Sequence, residues 1–264
     1  MKKTDYLLLG LSIVLIHAVT IRSFATSPNI YYYFDDNNNP AMPTNSNDGP
    51  SGITYRGTTH QTTEQHKFGK GSVLITEKTS PHGYNLGGFS GPASEIPGDI
   101  RKLTITAWVR PVDGKPFVIF SRFPPAIPAS TPGSLEFVYS SAYKCFWFEF
   151  FQADKTRPAF RSKKINFIEP DEWLHIAVTF DEGKVVFYMN GLPIGDADAS
   201  STTQSIYAAQ EGQILGGFVD ARPGTYVDDF GIFADRALNP EEIDQIYHNG
   251  LKEFLKESSA ASPQ

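Results

Sequence analysis

Residues 172–191 constrain the fold of this chain most tightly, because they contain two strand patterns joined by a turn. In the first strand, large apolar side chains occupy every second position: Leu174, Ile176, Val178 and Phe180. This period of two predicts a strand with one face in a hydrophobic core. Residues 185–189 form a second strand, rich in β-branched and aromatic residues, and residues 181–184 supply the turn between the two strands. Asn190 and Gly191 tolerate the positive φ that another hairpin turn requires. The stretch therefore predicts an antiparallel meander.

The composition extends this prediction to the whole chain. Hydrophobic residues make up 40% of the 264 residues, which is enough to build a sizeable core. The 22 glycines and 19 prolines favour many turns over long helices. Because all-β sandwiches reach this length as one unit, we expect a single all-β domain over residues 26–250.

The first 25 residues have the pattern of an export signal. Lys2 and Lys3 give a basic start, an apolar run follows at 6–21, and small residues surround Ala25. The apolar run is shorter than the ~20 residues that a membrane-spanning helix prefers. We therefore expect cleavage after Ala25 and a secreted, periplasmic or cell-surface protein without a membrane segment. An uncleaved anchor is the alternative.

Charge and cysteine content exclude several classes of function. The single cysteine, Cys145, cannot form an intrachain disulfide and lies in an apolar strand pattern. The chain carries a net charge of −6, and removal of residues 1–25, which carry +2, leaves −8. A protein this acidic has little electrostatic reason to bind nucleic acid, and more reason to bind a divalent cation.

Residues 145–151 form the candidate ligand-binding strand. Phe146, Phe148 and Phe150 share one face, and the opposite face carries Trp147 and Glu149. An aromatic ring beside a carboxylate is typical of a sugar-stacking surface, on which Trp147 contacts the sugar ring and Glu149 accepts hydroxyl protons. Tyr143, just before the strand, is the third candidate ligand-binding residue. The alternative is that this second face also packs against protein.

One carboxylate is predicted to point into the core. Asp228 is in phase with Phe230 and Ile232 in the strand pattern at 225–233. Burial of a carboxylate is costly unless it is paired or binds a metal, so Asp228 is a candidate metal ligand. Arg236 is the alternative partner.

A single short helix follows this strand. Asn239 is predicted as its N-cap, Pro240 occupies the first helical position, and Glu242 has the spacing of a capping box. Gly250 is predicted as the C-cap. Residues 251–264 are predicted to form a short flexible tail.

Taken together, five segments resemble the laminin-G-like domains of the concanavalin A-like lectin/glucanase superfamily, in the subgroup common in exported bacterial proteins. The segments are Thr-Ala-Trp-Val-Arg-Pro at 106–111, Glu-Trp-Leu-His-Ile-Ala-Val-Thr-Phe-Asp at 172–181, Val-Phe-Tyr-Met-Asn-Gly at 186–191, Val-Asp-Asp-Phe at 227–230 and Arg-Ala-Leu-Asn-Pro-Glu-Glu-Ile at 236–243. The resemblance covers roughly residues 30–250. It implies a two-sheet antiparallel jelly-roll sandwich, one sheet being concave, with one short C-terminal helix.

The resemblance also implies roles for individual residues. Trp108, Trp173 and His175 are expected to be architectural. A structural calcium ion (Ca2+) is expected where the end of the first strand meets the last strand, with Asp35, Asp48 and Asp228 as its ligands.

The glucanases of this superfamily place three acids on one strand in the pattern Glu-x-Asp-x-x-Glu, and this chain lacks that pattern. Its nearest matches, Glu169-x-Asp171 and Glu242-x-Asp244, both lack the third acid. Glycoside hydrolysis needs two carboxylates that flank the scissile bond. Patterns of a zinc protease, a nucleophile elbow and a phosphate loop are absent from the sequence as well.

The sequence therefore predicts an exported, monomeric and non-enzymatic binding module whose ligand is carbohydrate or an extracellular protein. Two alternatives stay open. One is a glycoside hydrolase or lyase with an unrecognised site, and the other is a structural or adhesive component of the cell envelope. Fold alone cannot choose among them, because one fold hosts many functions.

Overall fold

The computed structural model describes residues 30–35, 54–56, 59–75, 88–90, 98–114, 116–123, 135–152, 154, 156–196, 204–207, 213–216 and 224–260. The predicted signal segment at 1–25 and the candidate ligand Asp48 lie outside these residues. Export and cleavage after Ala25 therefore stay predictions from the sequence.

Two antiparallel sheets contain most of the strands that the structure describes. The eight-stranded sheet runs in the order β14 (Leu192–Asp196), β13 (Lys184–Met189), β12 (Leu174–Asp181), β7 (Lys102–Arg110), β17 (Tyr226–Phe233), β4 (Ser72–Leu74) and β3 (His60–Thr62), with β1 (Ile30–Tyr32) also paired to β17. The five-stranded sheet runs in the order β11 (Ala159–Arg161), β10 (Cys145–Phe150), β9 (Leu135–Ser140), β8 (Phe117–Phe123) and β16 (Gln213–Gly216). Two smaller pairs join β2 (Thr54–Arg56) to β5 (Gly88–Ser90), and β6 (Asp99–Ile100) to β15 (Ile206–Tyr207).

The two large sheets pack face to face, which confirms the predicted two-sheet sandwich. Aromatic side chains from the five-stranded sheet meet those of the eight-stranded sheet in the core. The ring centroids of Phe137 and Phe187 lie 6.1 Å apart, and those of Phe150 and Phe180 lie 5.8 Å apart. Aromatic contacts of this kind stabilise a core beyond the effect of the buried area alone.

The meander predicted at 172–191 is present. Strands β12 and β13 pair from Ile176 opposite Met189 to Asp181 opposite Lys184, so that a two-residue turn connects them. Both turn residues, Glu182 and Gly183, have positive φ, as a tight hairpin of this length requires. One detail differs from the prediction, because both faces of β12 are buried.

Helix α1 (Pro240–Ala260) explains why β12 is buried on both faces. The helix covers the outer face of the eight-stranded sheet and forms a second hydrophobic cluster with it. Members of this cluster include Tyr31, Ala177, Tyr188, Phe233, Ile243 and Ile246. The described part of the chain has no helix with both the length and the apolar character that crossing a bilayer demands.

The predicted capping box begins α1. The amide of Glu242 donates to Asn239 Oδ1 at 3.0 Å, and the amide of Asn239 donates to Glu242 Oε2 at 2.9 Å. Such reciprocal bonds satisfy amides that a helix start otherwise leaves unpaired.

Gly250 interrupts α1, but the chain stays helical beyond it. Its φ of 81° and ψ of 160° are not helical, so Gly250 ends the first part of the helix as predicted. The structure differs from the predicted flexible tail, because residues 251–260 form further helical turns. Leu251 and Phe254 are buried against the sheet, and this burial of apolar surface keeps the segment in place.

Trp108 and His175 are buried beneath α1, as expected of architectural residues. The ring of Trp108 stacks on Tyr247 with centroids 5.4 Å apart, and His175 Nε2 lies 2.8 Å from Thr106 Oγ1. Burial, and then the nearby charge of Lys67, lowers the pKa of His175 to about 3. This imidazole therefore stays neutral near pH 7.

Candidate functional site

The candidate ligand-binding strand β10 has one core face and one outer face. Phe146, Phe148 and Phe150 point into the core and are fully buried, as their alternation predicted. Trp147 and Glu149 belong to the opposite face, the outer face of the five-stranded sheet. The predicted binding residues therefore lie on the side of this sheet away from the core.

Trp147 is half-buried on this outer face and is held in a fixed orientation. Its indole Nε1 donates a hydrogen bond of 2.7 Å to Glu149 Oε2. The ring centroid of Tyr143 lies 5.3 Å away at an interplanar angle of 49°. Because the indole N–H is already bonded within the protein, the part of the ring that reaches solvent is apolar.

Glu149 is buried and paired within the protein. Its residue is only 5% exposed, and its carboxylate is paired with the guanidinium of Arg157 as well as with the indole of Trp147. Each carboxylate oxygen already accepts one protein donor, and the burial of the residue limits the access of a ligand to the remaining lone pairs. Glu149 therefore orients Trp147, and its predicted role as a ligand acceptor stays a prediction from the sequence.

Tyr143 lies in the turn between β9 and β10 and is 52% exposed. It is thus the most accessible of the three predicted binding residues. Together with Trp147 it forms a pair of adjacent rings at one end of β10.

Arg161 completes this cluster, and sequence reasoning missed it. It is the direct partner of Trp147 across the pairing of β10 with β11. Its guanidinium carbon lies 4.2 Å from the Trp147 ring centroid and 4.7 Å from that of Tyr143. A cation this close to two aromatic rings is attracted to both of them. We call Tyr143, Trp147 and Arg161 the aromatic–arginine cluster.

The predicted metal ligand Asp228 is fully buried, but its carboxylate accepts backbone amides. Asp228 Oδ2 accepts the amides of Lys67 at 2.8 Å and Phe68 at 3.1 Å, and Oδ1 accepts the amide of Asp229 at 2.8 Å. Burial, and then the neighbouring Asp229, raises the pKa of Asp228, while the three amides oppose this rise. The suggested alternative partner, Arg236, pairs with Glu242 instead.

Asp35 holds the same loop as Asp228. Its Oδ1 accepts the amide of Lys70 at 2.8 Å, and its Oδ2 lies 2.8 Å from Lys252 Nζ. The loop between β3 and β4, residues 63–71, is thus fixed by two carboxylates, one following β1 and one on β17. The two residues predicted to share a metal ion are connected through this loop.

The groups that contact the carboxylates of Asp35 and Asp228 do not fit a calcium ion shared by these two residues. Calcium needs six to eight oxygen ligands with lone pairs directed at the ion, whereas here N–H groups face the carboxylates. Within the ranges that the structure describes, no three acidic, histidine or cysteine side chains are grouped to hold a metal. Because Asp48 lies outside those ranges, calcium stays a prediction from the sequence.

A polar pocket of about 400 Å³ lies between the β3–β4 loop and α1, and it is lined by Asp35, Lys70, Asp229, Lys252, Glu253 and Lys256, among others. Two of its acids are paired with its own lysines, since Asp35 pairs with Lys252 and Glu253 with Lys256. Most of the acidic and basic side chains that line the pocket therefore form ion pairs with one another.

The two acid pairs closest to a glucanase pattern lie in a loop and in the helix. Glu169 and Asp171 lie in an exposed loop, and the side chain and carbonyl of Asp171 bind Arg110. Glu242 and Asp244 belong to α1. Neither pair lies on a strand of the five-stranded sheet.

The chain belongs to the concanavalin A-like lectin/glucanases superfamily, whose family model matches residues 90–244, more than half of the chain. The resemblance inferred from the five sequence segments is thereby confirmed. No curated protein matches the chain by sequence.

Solved structures share the fold at low sequence identity. Domain 4 of AbnA, an extracellular arabinanase from Geobacillus stearothermophilus solved with arabinotriose, is similar with a TM-score of 0.58 and 17% identity, over 84% of this chain and 98% of that domain. The botulinum neurotoxin serotype G binding domain is similar with a TM-score of 0.55 and 14% identity, over 84% of this chain and 50% of the other.

A further similar structure is the botulinum neurotoxin serotype D ligand-binding domain in complex with N-acetylneuraminic acid. Its TM-score is 0.57 and its identity 10%, over 84% of this chain and 50% of the other. This chain thus spans about half the length of the toxin domains that it resembles. At sequence identities this low, similarity to these solved structures establishes the fold and nothing further.

Proposed function

We propose that this protein is a non-enzymatic module that binds carbohydrate on the outer face of its five-stranded sheet. The observation that carries the proposal is a pair of adjacent rings on a strand and its turn, the exposed Tyr143 and the half-buried Trp147. Sugar rings present C–H groups on their faces, and an aromatic face offers them a flat, apolar surface with a complementary quadrupole.

An ion pair and a hydrogen bond fix the orientation of the Trp147 ring, and this favours binding. Arg157 fixes Glu149, Glu149 fixes the indole of Trp147, and Trp147 contacts Tyr143. A ring that is already held in its binding orientation loses little conformational entropy when a ligand arrives. This preorganisation distinguishes the cluster from an exposed aromatic residue such as Phe167 in the loop before β12.

Two similar structures support carbohydrate as the ligand class. The arabinanase domain was solved with arabinotriose, and the serotype D toxin domain with N-acetylneuraminic acid. An extracellular protein is the second candidate ligand, because tyrosine, tryptophan and arginine are the residue types that dominate binding energy at protein interfaces.

Binding is expected to depend on both rings. On a glycan array that carries neutral and acidic oligosaccharides, the protein should bind a defined subset of the glycans. For the best of these, Tyr143→Ala and Trp147→Ala should each weaken binding at least tenfold. The thermal stability of Tyr143→Ala should stay close to that of the original protein, because the side chain is 52% exposed.

Tyr207→Ala serves as the matched control. This tyrosine is 45% exposed but lies on β15, outside the five-stranded sheet, so its removal should leave binding unchanged. Equal losses in the Tyr143 and Tyr207 variants would contradict the proposed location. A large drop in melting temperature for Trp147→Ala would indicate that this ring is mainly a packing residue.

The purified protein also allows a test of the alternative that it is an enzyme. Incubation with β-glucans, arabinans and other polysaccharides should release no reducing ends, because Glu149, the carboxylate of the cluster, is buried and paired with Arg157. Hydrolysis that is abolished by Glu149→Gln would instead assign this residue a catalytic role. Failure to bind any glycan or protein would favour the structural role in the cell envelope.

A further inference from the structure

The guanidinium of Arg161 is held in place but has no carboxylate partner. It contacts the rings of Trp147 and Tyr143, and it forms no ion pair with any residue that the structure describes. Arg157, four residues earlier, differs in this respect because it is paired with Glu149. A half-buried cation without a counter-charge is unusual on the surface of a protein whose net charge is −6.

The contacts of Arg161 leave its hydrogen-bond donors available. Contact with aromatic rings uses the flat face of a guanidinium, whereas its five N–H donors lie around the edge of the same plane. The side chain of Arg161 lies against both rings and donates no hydrogen bond to another residue that the structure describes. A planar carboxylate can accept two parallel hydrogen bonds from such an edge.

The charges around the cluster favour an anion. Lys144, in the turn next to Tyr143, is exposed and has no ion pair in the described part of the chain. The carboxylate of Glu149 is neutralised by Arg157. Among the residues that the structure describes, Glu136 on β9 is the direct cross-strand neighbour of Glu149, and it has an interaction of its own.

We propose that the aromatic–arginine cluster binds an acidic sugar, with the carboxylate of the sugar on the guanidinium edge of Arg161 and the sugar ring against Tyr143 and Trp147. This proposal rests on the proposed function and adds the chemical class of the ligand. It makes Arg161 the residue that determines specificity, and the two rings the residues that supply contact area.

Two matched pairs of ligands test the assignment. The first pair is trigalacturonate and its methyl ester, which share the sugar rings and differ in the charge of the carboxylates. The second pair is 3′-sialyllactose and lactose. In at least one pair, the protein should bind the acidic member at least tenfold more tightly than the neutral one. Since the attraction is electrostatic and partly exposed to solvent, raising the salt concentration should reduce this preference.

Substitutions at Arg161 separate charge from geometry. Arg161→Ala should abolish the preference for the acidic member. Arg161→Lys keeps the charge but loses the planar fork, and it should retain only part of the preference. The control is Lys184→Ala, which removes an exposed positive charge on β13 of the other large sheet and should leave the ratio within about twofold. Melting temperatures of all variants establish that they are folded.

The outcomes distinguish this inference from the proposed function. Equal binding of acidic and neutral members, with both lost in Tyr143→Ala, would overturn the acidic-sugar proposal and leave carbohydrate binding intact. Unchanged preference in Arg161→Ala would also overturn it, as would stronger binding of sulfated glycans than of carboxylated ones. Absence of binding to every glycan on the array would overturn both proposals.

Discussion

Replacing Asp228 by alanine is expected to lower the free energy of unfolding by about 2–3 kcal/mol, because three backbone amides would lose their acceptor, one in a buried position and two in part-buried positions. Two of these amides, those of Lys67 and Phe68, fix the β3–β4 loop against β17. The variant should also free this loop, so hydrogen exchange at residues 63–71 should become faster. Chemical denaturation measures the first effect.

Matched variants make this prediction specific to the buried acceptor. Asp35→Ala removes the acceptor of one amide of the same loop and one lysine partner, so its cost should be nearer 1 kcal/mol. Asp181→Ala removes a carboxylate that is 49% exposed and pairs with the exposed Lys102, and its effect should be within about 0.5 kcal/mol. A cost for Asp228→Ala as small as that for Asp181→Ala would contradict the assigned role.

A chelator separates this role from the calcium hypothesis. If Asp228 accepts only amides, treatment with a chelator should leave the melting temperature unchanged, and Asp228→Ala should be equally destabilised with and without it. If calcium binds at Asp35, Asp48 and Asp228, chelation should lower the melting temperature of the original protein, and that sensitivity should be lost in the variant.

The sequence predicted the parts of the fold that local patterns determine. The alternation at Leu174, Ile176, Val178 and Phe180 and the residues at Asn190 and Gly191 led to the meander, because strand period and turn chemistry are properties of neighbouring residues. The burial of Phe146, Phe148 and Phe150 was predicted for the same reason. Asp228 is buried as expected, but the predicted phase was wrong: β17 is irregular after Asp228, so Asp228 lies opposite Trp108 on the face covered by α1, whereas Phe230 and Ile232 lie in the core between the sheets.

The partners of the polar residues could not be predicted in this way. Asp228 was expected to need a partner, but the amides it accepts lie about 160 residues earlier in the chain, in a loop without a sequence signature. Arg161 meets Trp147 only because β11 pairs with β10 in one register, and the sequence pattern did not reveal β11 at all. A strand pattern predicts which way a side chain points only where the strand is regular, and the partner of that side chain depends on the pairing of distant segments.

The stability of this protein is expected to fall as the pH rises from about 4 to about 7, owing to Asp229. This residue is buried at the irregular point of β17, between the residues that pair with β4 and those that pair with β1. Its Oδ2 accepts the amide of Leu251 at 2.7 Å, directly after the break at Gly250. Asp229 therefore connects the last strand to the final helical turns of α1.

The direction of this effect follows from the shifted pKa. Burial raises the pKa of Asp229 to about 7 from its usual 3.8, and the charge of Asp35 adds to the rise, whereas the Leu251 amide and Lys252 oppose it. Below pH 4 the carboxyl is protonated in both the folded and the unfolded protein, so this stability is fully present. Between pH 4 and 7 only the unfolded chain loses the proton, which favours unfolding by up to roughly 4 kcal/mol.

Asp229→Asn isolates this contribution, because the amide oxygen of asparagine can still accept the Leu251 N–H but cannot ionise. The free energy of unfolding, measured by denaturation at several pH values from 4 to 8, should fall less steeply in this variant than in the original protein. The remaining slope reports Asp228, whose pKa is raised in the same direction. Asp181→Asn, which changes an exposed carboxylate, should leave the slope as it was. Parallel pH profiles for Asp229→Asn and the original protein would mean that Asp229 is already ionised in the folded state at pH 4, and that its bond to Leu251 outweighs the cost of burial.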